Sequence, residues 1–489
     1  MPASITDRAQ RPAAAAADYP ELRLLIDSEW RTSATGIPVI DPATEQRLGA
    51  VPCATEADVK DALAASERGF ATWRRMPAAD RGVIIHDAAR LLRERSDYVA
   101  RVITREMGKP LPEALAEIDT AAGILDWNAE EGRRTYGRVI PGPSGRRQEV
   151  LTEPIGPVSA FAPWNAPLIT PSRKVSSALA AGCSVVIKPA EETPGTALCL
   201  ARALLDAGLP AGVLNVVFGD PAQISGQLLA SPVIRAVTFT GSTAVGKALA
   251  AQAAASMKHA VMELGGHAPV LICGDVPAET VAAGAARAAY RNAGQICTSP
   301  TRFFVDRRSY DSFVESLTAH VAALRVGNGL SEGTDVGPLA SQRRVEAIER
   351  LIEDAVAHGA EVTTGGRRLP GPGYFWAPTV LTSVTEECEI ARVEPFGPVT
   401  IVEPFDDAEA AIRRANSVPF ALAGYIFARE GAAIRRLTAQ LDCGAIAVNH
   451  WQVSGPETPF GGHKDSGFGS EGGIEGISAF QQLKFVSEQ

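Results

Sequence analysis

The sequence predicts an α/β chain built on a doubly wound parallel sheet, and three observations carry that expectation. Between residues 149 and 263, short β-branched runs at 158–161, 184–187, 214–217 and 236–239 alternate with helical stretches, the pattern of strands joined by crossover helices. A glycine-bearing turn, Gly241-Ser242-Thr243-Ala244-Val245-Gly246-Lys247, opens a helix directly after the fourth run. Such sheets bind ligands beyond the carboxyl ends of their strands, where Asn165, Lys188 and Ser242 fall. The 489 residues, 46% of them hydrophobic, exceed what one core holds, so two or three domains are expected.

Taken in order, residues 1–19 carry an alanine run and no apolar core of a leader, and read as a disordered tail. From Thr55 to Trp73 the apolar Val59, Leu63, Phe70 and Trp73 recur at helical spacing, with Thr55 as N-cap and Asp58 three residues on. A helix after Ser96 stops at Met107-Gly108-Lys109-Pro110, and a longer one covers about 112–133. Residues 136–143 form a strand and turn with poor local hydrophobic support. The second half opens with an apolar strand at 269–273 and has helices at 281–290, 309–324 and 342–357, with strands at 302–305 and 482–486.

The net charge of −9 argues against nucleic acid or an anionic membrane as partner, and no apolar run is long enough to span a bilayer. Cys53, Cys183, Cys199, Cys273, Cys297, Cys388 and Cys443 are scattered, with no Cys-x-x-Cys pair. They suggest neither a metal site nor a disulfide framework, and suit a reducing, cytoplasmic location.

Three segments carry candidate chemistry. Cys297 lies in Asn292-Ala293-Gly294-Gln295-Ile296-Cys297, a turn between a helix and a strand. A free cysteine is more often a small buried hydrophobe than a nucleophile, but this one has company. Glu263 precedes a Gly265-Gly266 turn, and Asn165 sits in the Pro-bounded loop after the first parallel strand. Together they supply a nucleophile, a base and an oxyanion donor. The glycine turn at 241–247 also reads as most of a nucleotide-triphosphate loop, but Ala248 stands where a magnesium-binding Ser or Thr is needed. What remains is a helix N-terminus able to take a pyrophosphate, with Ser242 adding a hydroxyl. Lys188 and Glu191 follow the second strand as an adenosine-ribose site or, equally, as an ordinary helix start.

With Asn165 in its Pro-Trp-Asn loop, Glu263 in Glu-Leu-Gly-Gly and Cys297 in Gly-Gln-Ile-Cys, the chain resembles the aldehyde dehydrogenase superfamily from about Leu25 to Phe485. The resemblance implies an NAD-dependent enzyme, with NADP possible, acting on a small-molecule aldehyde. It implies that Pro163, Trp164, Lys188, Glu191, Gly241, Ser242, Gly246, Leu264, Glu394 and Phe396 bind the cofactor. Glu191 favours NAD, since a carboxylate at the ribose repels a 2′-phosphate. It further implies no metal, a homodimer or homotetramer, and a division into a tail (1–19), an NAD-binding domain (20–130 and 149–263), a catalytic domain (264–465) and a small β oligomerisation arm (131–148 and 466–489). Glu471 assists proton relay in some members. The segment 459–467 also matches, with His463 an uncommon residue there.

Arg173 lies eight positions after Asn165 and Arg291 six before Cys297. Paired guanidinium groups suit a carboxylate, although either arginine alone fits a structural ion pair. At these positions and at Ser454 the chain is similar to succinate-semialdehyde dehydrogenases. Some of those carry a redox-switch cysteine two residues after the nucleophile, where Ser299 stands here. A broad aldehyde dehydrogenase, or one for glutarate or 2-oxoglutarate semialdehyde, remains an alternative, since the arginines do not set chain length.

Overall fold

The computed structural model describes residues 19–489. The expected tail at 1–18 lies outside them. Its last residue departs from expectation, because Tyr19 donates its hydroxyl to Glu106 Oε1 at 2.5 Å. That bond anchors the start of the described chain.

Five parallel strands form the centre of an eight-stranded sheet, in the order Leu214–Val216, Val185–Lys188, Val158–Phe161, Ala236–Thr240, His259–Glu263. The chain winds outward one way and then the other, reversing between Val158–Phe161 and Ala236–Thr240. This is the switch point at which doubly wound sheets hold ligands. Val158–Phe161 and Val185–Lys188 are buried at every position, which is why they read as continuous β-branched runs rather than alternating ones.

A second sheet of seven strands runs Glu361–Thr364, Thr379–Thr382, Val399–Phe405, Pro300–Asp306, Ala268–Ile272, Ala423–Phe427, Ala445–Val448, with only the first strand antiparallel. One apolar cluster gathers buried side chains from Leu22 to Leu264, together with Ile477 and Phe480, and the next begins at Ala268. Glu263 ends the last parallel strand of the first sheet and Ala268 opens the second. The Glu-Leu-Gly-Gly segment therefore forms the seam.

The capping box at Thr55 forms as read: Thr55 Oγ1 accepts from the Asp58 amide and the Asp58 carboxylate accepts from the Thr55 amide, opening the helix Glu56–Trp73. Ser96–Met107 ends at a left-handed Gly108, and Leu111–Glu131 follows. The small third sheet is Arg138–Ile140, Arg147–Pro154 and Gln481–Glu488. Two of its features differ from the sequence division. Residues 149–154 belong to this sheet, while Gly467–Phe468 pairs with Met262 and Glu263 on the edge of the eight-stranded sheet. The strand Arg147–Pro154 has mostly polar residues and little alternation to reveal it. The sheet leaves Val139, Leu483 and Phe485 in solvent, an apolar surface of the kind that marks association. No helix among the described residues is long and apolar enough to cross a membrane.

Candidate active site

A cavity of about 760 Å³ opens along the seam between the two large sheets. Its wall includes Pro163, Trp164, Asn165, Arg173, Gly241, Ser242, Leu264, Arg291, Cys297, Glu394, Phe396 and Ser454, so residues spread over nearly three hundred positions converge as expected. Four expected residues stand apart from the wall. Glu263 is buried at the end of its strand. Gly246 packs its helix against Leu264, where an added Cβ would lie 2.2 Å from Leu264 Cδ2. Lys188 and Glu191 meet beyond the second strand.

Cys297 follows a tightly held turn. Asn292 and Ala293 both adopt left-handed backbone angles, φ 54° and 52°, which non-glycine residues take only when neighbours hold them there. Asn292 Nδ2 donates to the Asn165 carbonyl at 3.0 Å and to the Gln295 carbonyl at 3.2 Å. The buried Gln295 donates to the Asn292 carbonyl at 3.1 Å and accepts from the Ala340 amide at 2.9 Å. Asn165 Nδ2 donates to the Gln295 carbonyl at 3.0 Å, which sets its side-chain amide beside the cysteine loop. Across the seam, a Cβ on Gly266 would lie 2.4 Å from the Cys297 carbonyl. The second glycine of Glu-Leu-Gly-Gly is thus required for the two segments to approach.

The cysteine is partly exposed, and the face it shows is cavity wall. Burial, then the nearby Glu394 and Glu263, push its thiol up to about 12, with its own amide and Arg173 opposing. The resting sulfur is therefore a thiol that must be deprotonated to react. Glu263 is one of two carboxylates that act on that thiol. It is 2% exposed, and neither carboxylate oxygen has a hydrogen-bond partner among the described residues. Burial, and next the charge of Glu471, hold its carboxyl well above the usual range, while Lys174 and Arg173 pull the other way. A carboxyl raised in this way is a stronger base than an ordinary carboxylate once it has lost its proton.

Behind it lies a network that sequence reading did not find. Lys174 Nζ pairs with Glu471 Oε1 at 2.5 Å and donates to Thr238 Oγ1 at 2.9 Å. Only Glu471 had been noted. Lys174, one position from Arg173, carried no spacing signal.

The cavity wall has further unpartnered groups: Thr240 Oγ1, Glu394 Oε1 and Arg344 Nε are buried without hydrogen-bond partners among the described residues. The helix Thr243–Ala255 begins at the cavity with no side chain capping its amides, which leaves them for a phosphate. Phe396 stands edge-on to Trp164, ring centroids 5.5 Å apart, with Arg344 over its other side at 5.7 Å. Lys188 pairs with Glu191 at 2.5 Å, and Glu191 accepts from the Gly219 amide at 3.2 Å. An elongated ligand with phosphates and hydroxyls, such as a nicotinamide dinucleotide, fits this set.

The model of the Aldehyde dehydrogenase family matches residues 30–486. The chain belongs to that family. The enzyme is 45% identical over 466 residues to a 4-(hydroxymethyl)benzenesulfonate dehydrogenase of Comamonas testosteroni, covering 95% of this chain and 97% of that one. It is 39% identical over 465 residues to the NADP(+) succinate-semialdehyde dehydrogenase GabD of Escherichia coli K12, covering 94% and 96%. Among solved structures, a succinate-semialdehyde dehydrogenase from Burkholderia pseudomallei superposes with a TM-score of 0.95 at 39% identity, covering 97% of this chain and 99% of that one. This aldehyde dehydrogenase therefore oxidises aldehydes with a nicotinamide cofactor.

Also on the cavity wall, Arg173 is buried to 6% exposure with Nη1 unpartnered among the described residues. Its guanidinium lies 5.3 Å over the Phe460 ring, and Nη2 reaches the Gly455 carbonyl at 3.5 Å. Burial lowers its pKa, with Glu471 and Glu263 opposing. Among the described residues no ion pair reaches it directly, so it forms no structural salt bridge there of the kind the sequence left open. Arg291 and Ser454 line the same cavity. Ser299 donates to the Ala289 carbonyl at 3.0 Å, a structural role.

Proposed function

We propose that the enzyme oxidises an aldehyde bearing a distal anion, most simply succinate semialdehyde to succinate, with NAD as hydride acceptor. One observation carries the substrate half: a buried guanidinium with an unpartnered Nη1 faces the cavity that holds Cys297, with Arg291 and Ser454 beside it. An unmatched buried cation asks for an anion, and a carboxylate meets it with paired hydrogen bonds.

In this mechanism Cys297 Sγ passes its proton to the Glu263 carboxylate, which releases it to solvent, and then bonds to the aldehyde carbon. The oxyanion that forms is held by the Asn165 side-chain N–H and the Cys297 backbone N–H. A nicotinamide held by the cofactor residues would supply the hydride acceptor. Loss of hydride from the adduct leaves a thioester on Cys297. Glu263 then takes a proton from water, the water oxygen bonds to the acyl carbon, the C–S bond breaks, and the acid leaves. Gly241, Ser242 and the amides opening the helix Thr243–Ala255 would hold the cofactor phosphates. Lys188 and Glu191 would hold the adenosine ribose, and Glu394 and Phe396 the nicotinamide end, with Trp164, Pro163 and Leu264 closing the walls.

The Glu191 carboxylate favours NAD over NADP by repelling a 2′-phosphate. The apolar face of the small sheet supports assembly through it as a homodimer or homotetramer. Seven unpaired cysteines fit a cytoplasmic, reducing setting.

A second reading is favoured by one feature. Phe460 stacks beside Arg173, with Ala116 and Thr120 on the same cavity wall, which leaves a flat surface next to the cation. An aromatic aldehyde with a sulfonate, the aldehyde counterpart of the 4-(hydroxymethyl)benzenesulfonate named for the Comamonas relative, suits it. The test compares kcat/KM for succinate semialdehyde, butanal and 4-sulfobenzaldehyde, each with NAD and NADP. The semialdehyde should exceed butanal by about 10- to 100-fold, as two or more charge-assisted hydrogen bonds imply, and NAD should exceed NADP. Preference for the sulfonate moves the assignment to the second reading. Equal use of butanal would overturn both.

A further inference from the structure

The helix Leu111–Glu131 turns two carboxylates, Glu113 and Glu117, to one face, four residues apart. Their partners lie on different segments. Glu117 is buried against Lys109, and its Oε1 accepts from the backbone amides of Leu168 at 2.9 Å and Ile169 at 3.2 Å. It thereby caps the helix Ile169–Ala181, which carries Arg173. Glu113 reaches across the seam instead: its Oε2 accepts from the Asn292 amide at 2.9 Å. That amide is the peptide joining Asn292 to Arg291, at the point where the helix Ala278–Tyr290 breaks into left-handed backbone. The charged groups facing Glu113 are Lys109, Arg291 and Glu117. The chemistry at Cys297 gives it no task.

We propose that Glu113 is a positioning residue for the substrate's anion, holding the Arg291–Asn292 peptide so that the Arg291 guanidinium stands at the cavity wall. This rests on the reading that Arg291 receives a distal anion. The cysteine loop has independent support, because Asn292, Asn165 and Gln295 are bonded to one another and to Ala340 without Glu113. Removing Glu113 therefore frees Arg291 while Cys297 stays in place. Glu113 sets affinity for anionic aldehydes and leaves the bond-making steps alone.

The test measures kcat and KM for succinate semialdehyde and for butanal in Glu113→Ala, Glu113→Gln, Arg291→Ala and the Glu113→Ala/Arg291→Ala double variant, with thermal midpoints recorded for each. Glu113→Ala should raise KM for the semialdehyde about tenfold, with kcat and the butanal constants within about twofold of the parent. Glu113→Gln keeps an oxygen acceptor for the Asn292 amide and should recover most of the loss. The double variant should be no worse than Arg291→Ala, since one residue acts through the other. Equal losses on both aldehydes, an unchanged KM in Glu113→Ala, or additive losses in the double variant would overturn the proposal. A semialdehyde KM unmoved by Arg291→Ala would instead refute the anion site. An effect of Arg291→Ala with none from Glu113→Ala refutes the role of Glu113 alone.

Discussion

At the scale of single residues, Cys297 and Glu263 are a thiol and a carboxyl whose burial opposes ionisation, and the charge of Glu263 adds to the rise at Cys297. Burial comes first among the causes, and for Glu263 the charge of Glu471 comes second. The second cause can be removed without touching the first. Glu471→Gln deletes a neighbouring negative charge and leaves Lys174 as an uncompensated cation, and both changes favour the Glu263 carboxylate. A base works in its deprotonated form, so thioester hydrolysis falls as pH drops through the Glu263 pKa. In the parent that acid limb should stand above the usual carboxylate range. In Glu471→Gln it should move to lower pH, as single-turnover deacylation measured against pH would reveal. An unmoved limb would mean that another group controls the step. Cys297, Glu263 and Asn165 were legible because each sits in a short motif with turn residues around it. Lys174 and Glu113 were not. Their meaning comes from partners far along the chain, Glu471 for one and Asn292 for the other, and no local pattern announces such pairs.

At the scale of elements, the helix Leu111–Glu131 is the brace of the site. The sequence reading had it within two residues at each end, after the preceding glycine and proline, and gave it no role in the site. Its function depends on which face meets the seam, and that is set by tertiary packing. The buried Lys109–Glu117 pair shows what is at stake. Glu117 also accepts two amides at the start of Ile169–Ala181, so Glu117→Leu leaves a buried ammonium without its partner and a helix end without its cap. Loss of one partner from a buried pair costs about 3–5 kcal/mol. The variant should show that loss in denaturant unfolding, whereas Thr55 and the exposed ion pairs of the outer helices lie far from any such penalty. A loss under about 1 kcal/mol, the range of a surface pair, would contradict the account. The parallel strands were legible as a class because burial on both faces makes them uniformly apolar. Their spatial order was not, since strand runs of like composition do not encode their neighbours. The strand Arg147–Pro154 escaped because it is mostly polar and half exposed.

At the scale of the whole molecule, the reaction is divided between two sheets. Asn165 and Glu263 come from the cofactor sheet and its loops, Cys297 and Arg291 from the second, and the Gly265–Gly266 connection lets them meet. The doubly wound class and the convergence of the motifs could be argued from composition and spacing. The seam itself needed the fold, because only there does Gly266 lie against the Cys297 carbonyl. The central claim is that Cys297 forms the acyl intermediate and Glu263 clears it from the opposite side of that seam. The most direct test is rapid mixing of Glu263→Gln with NAD and succinate semialdehyde, followed by mass analysis of the peptide containing Cys297. The account predicts a burst of NADH limited to one equivalent per active site, no steady turnover, and a succinyl group on Cys297. Continued turnover at the parent rate, or a burst that leaves Cys297 unmodified, would contradict it.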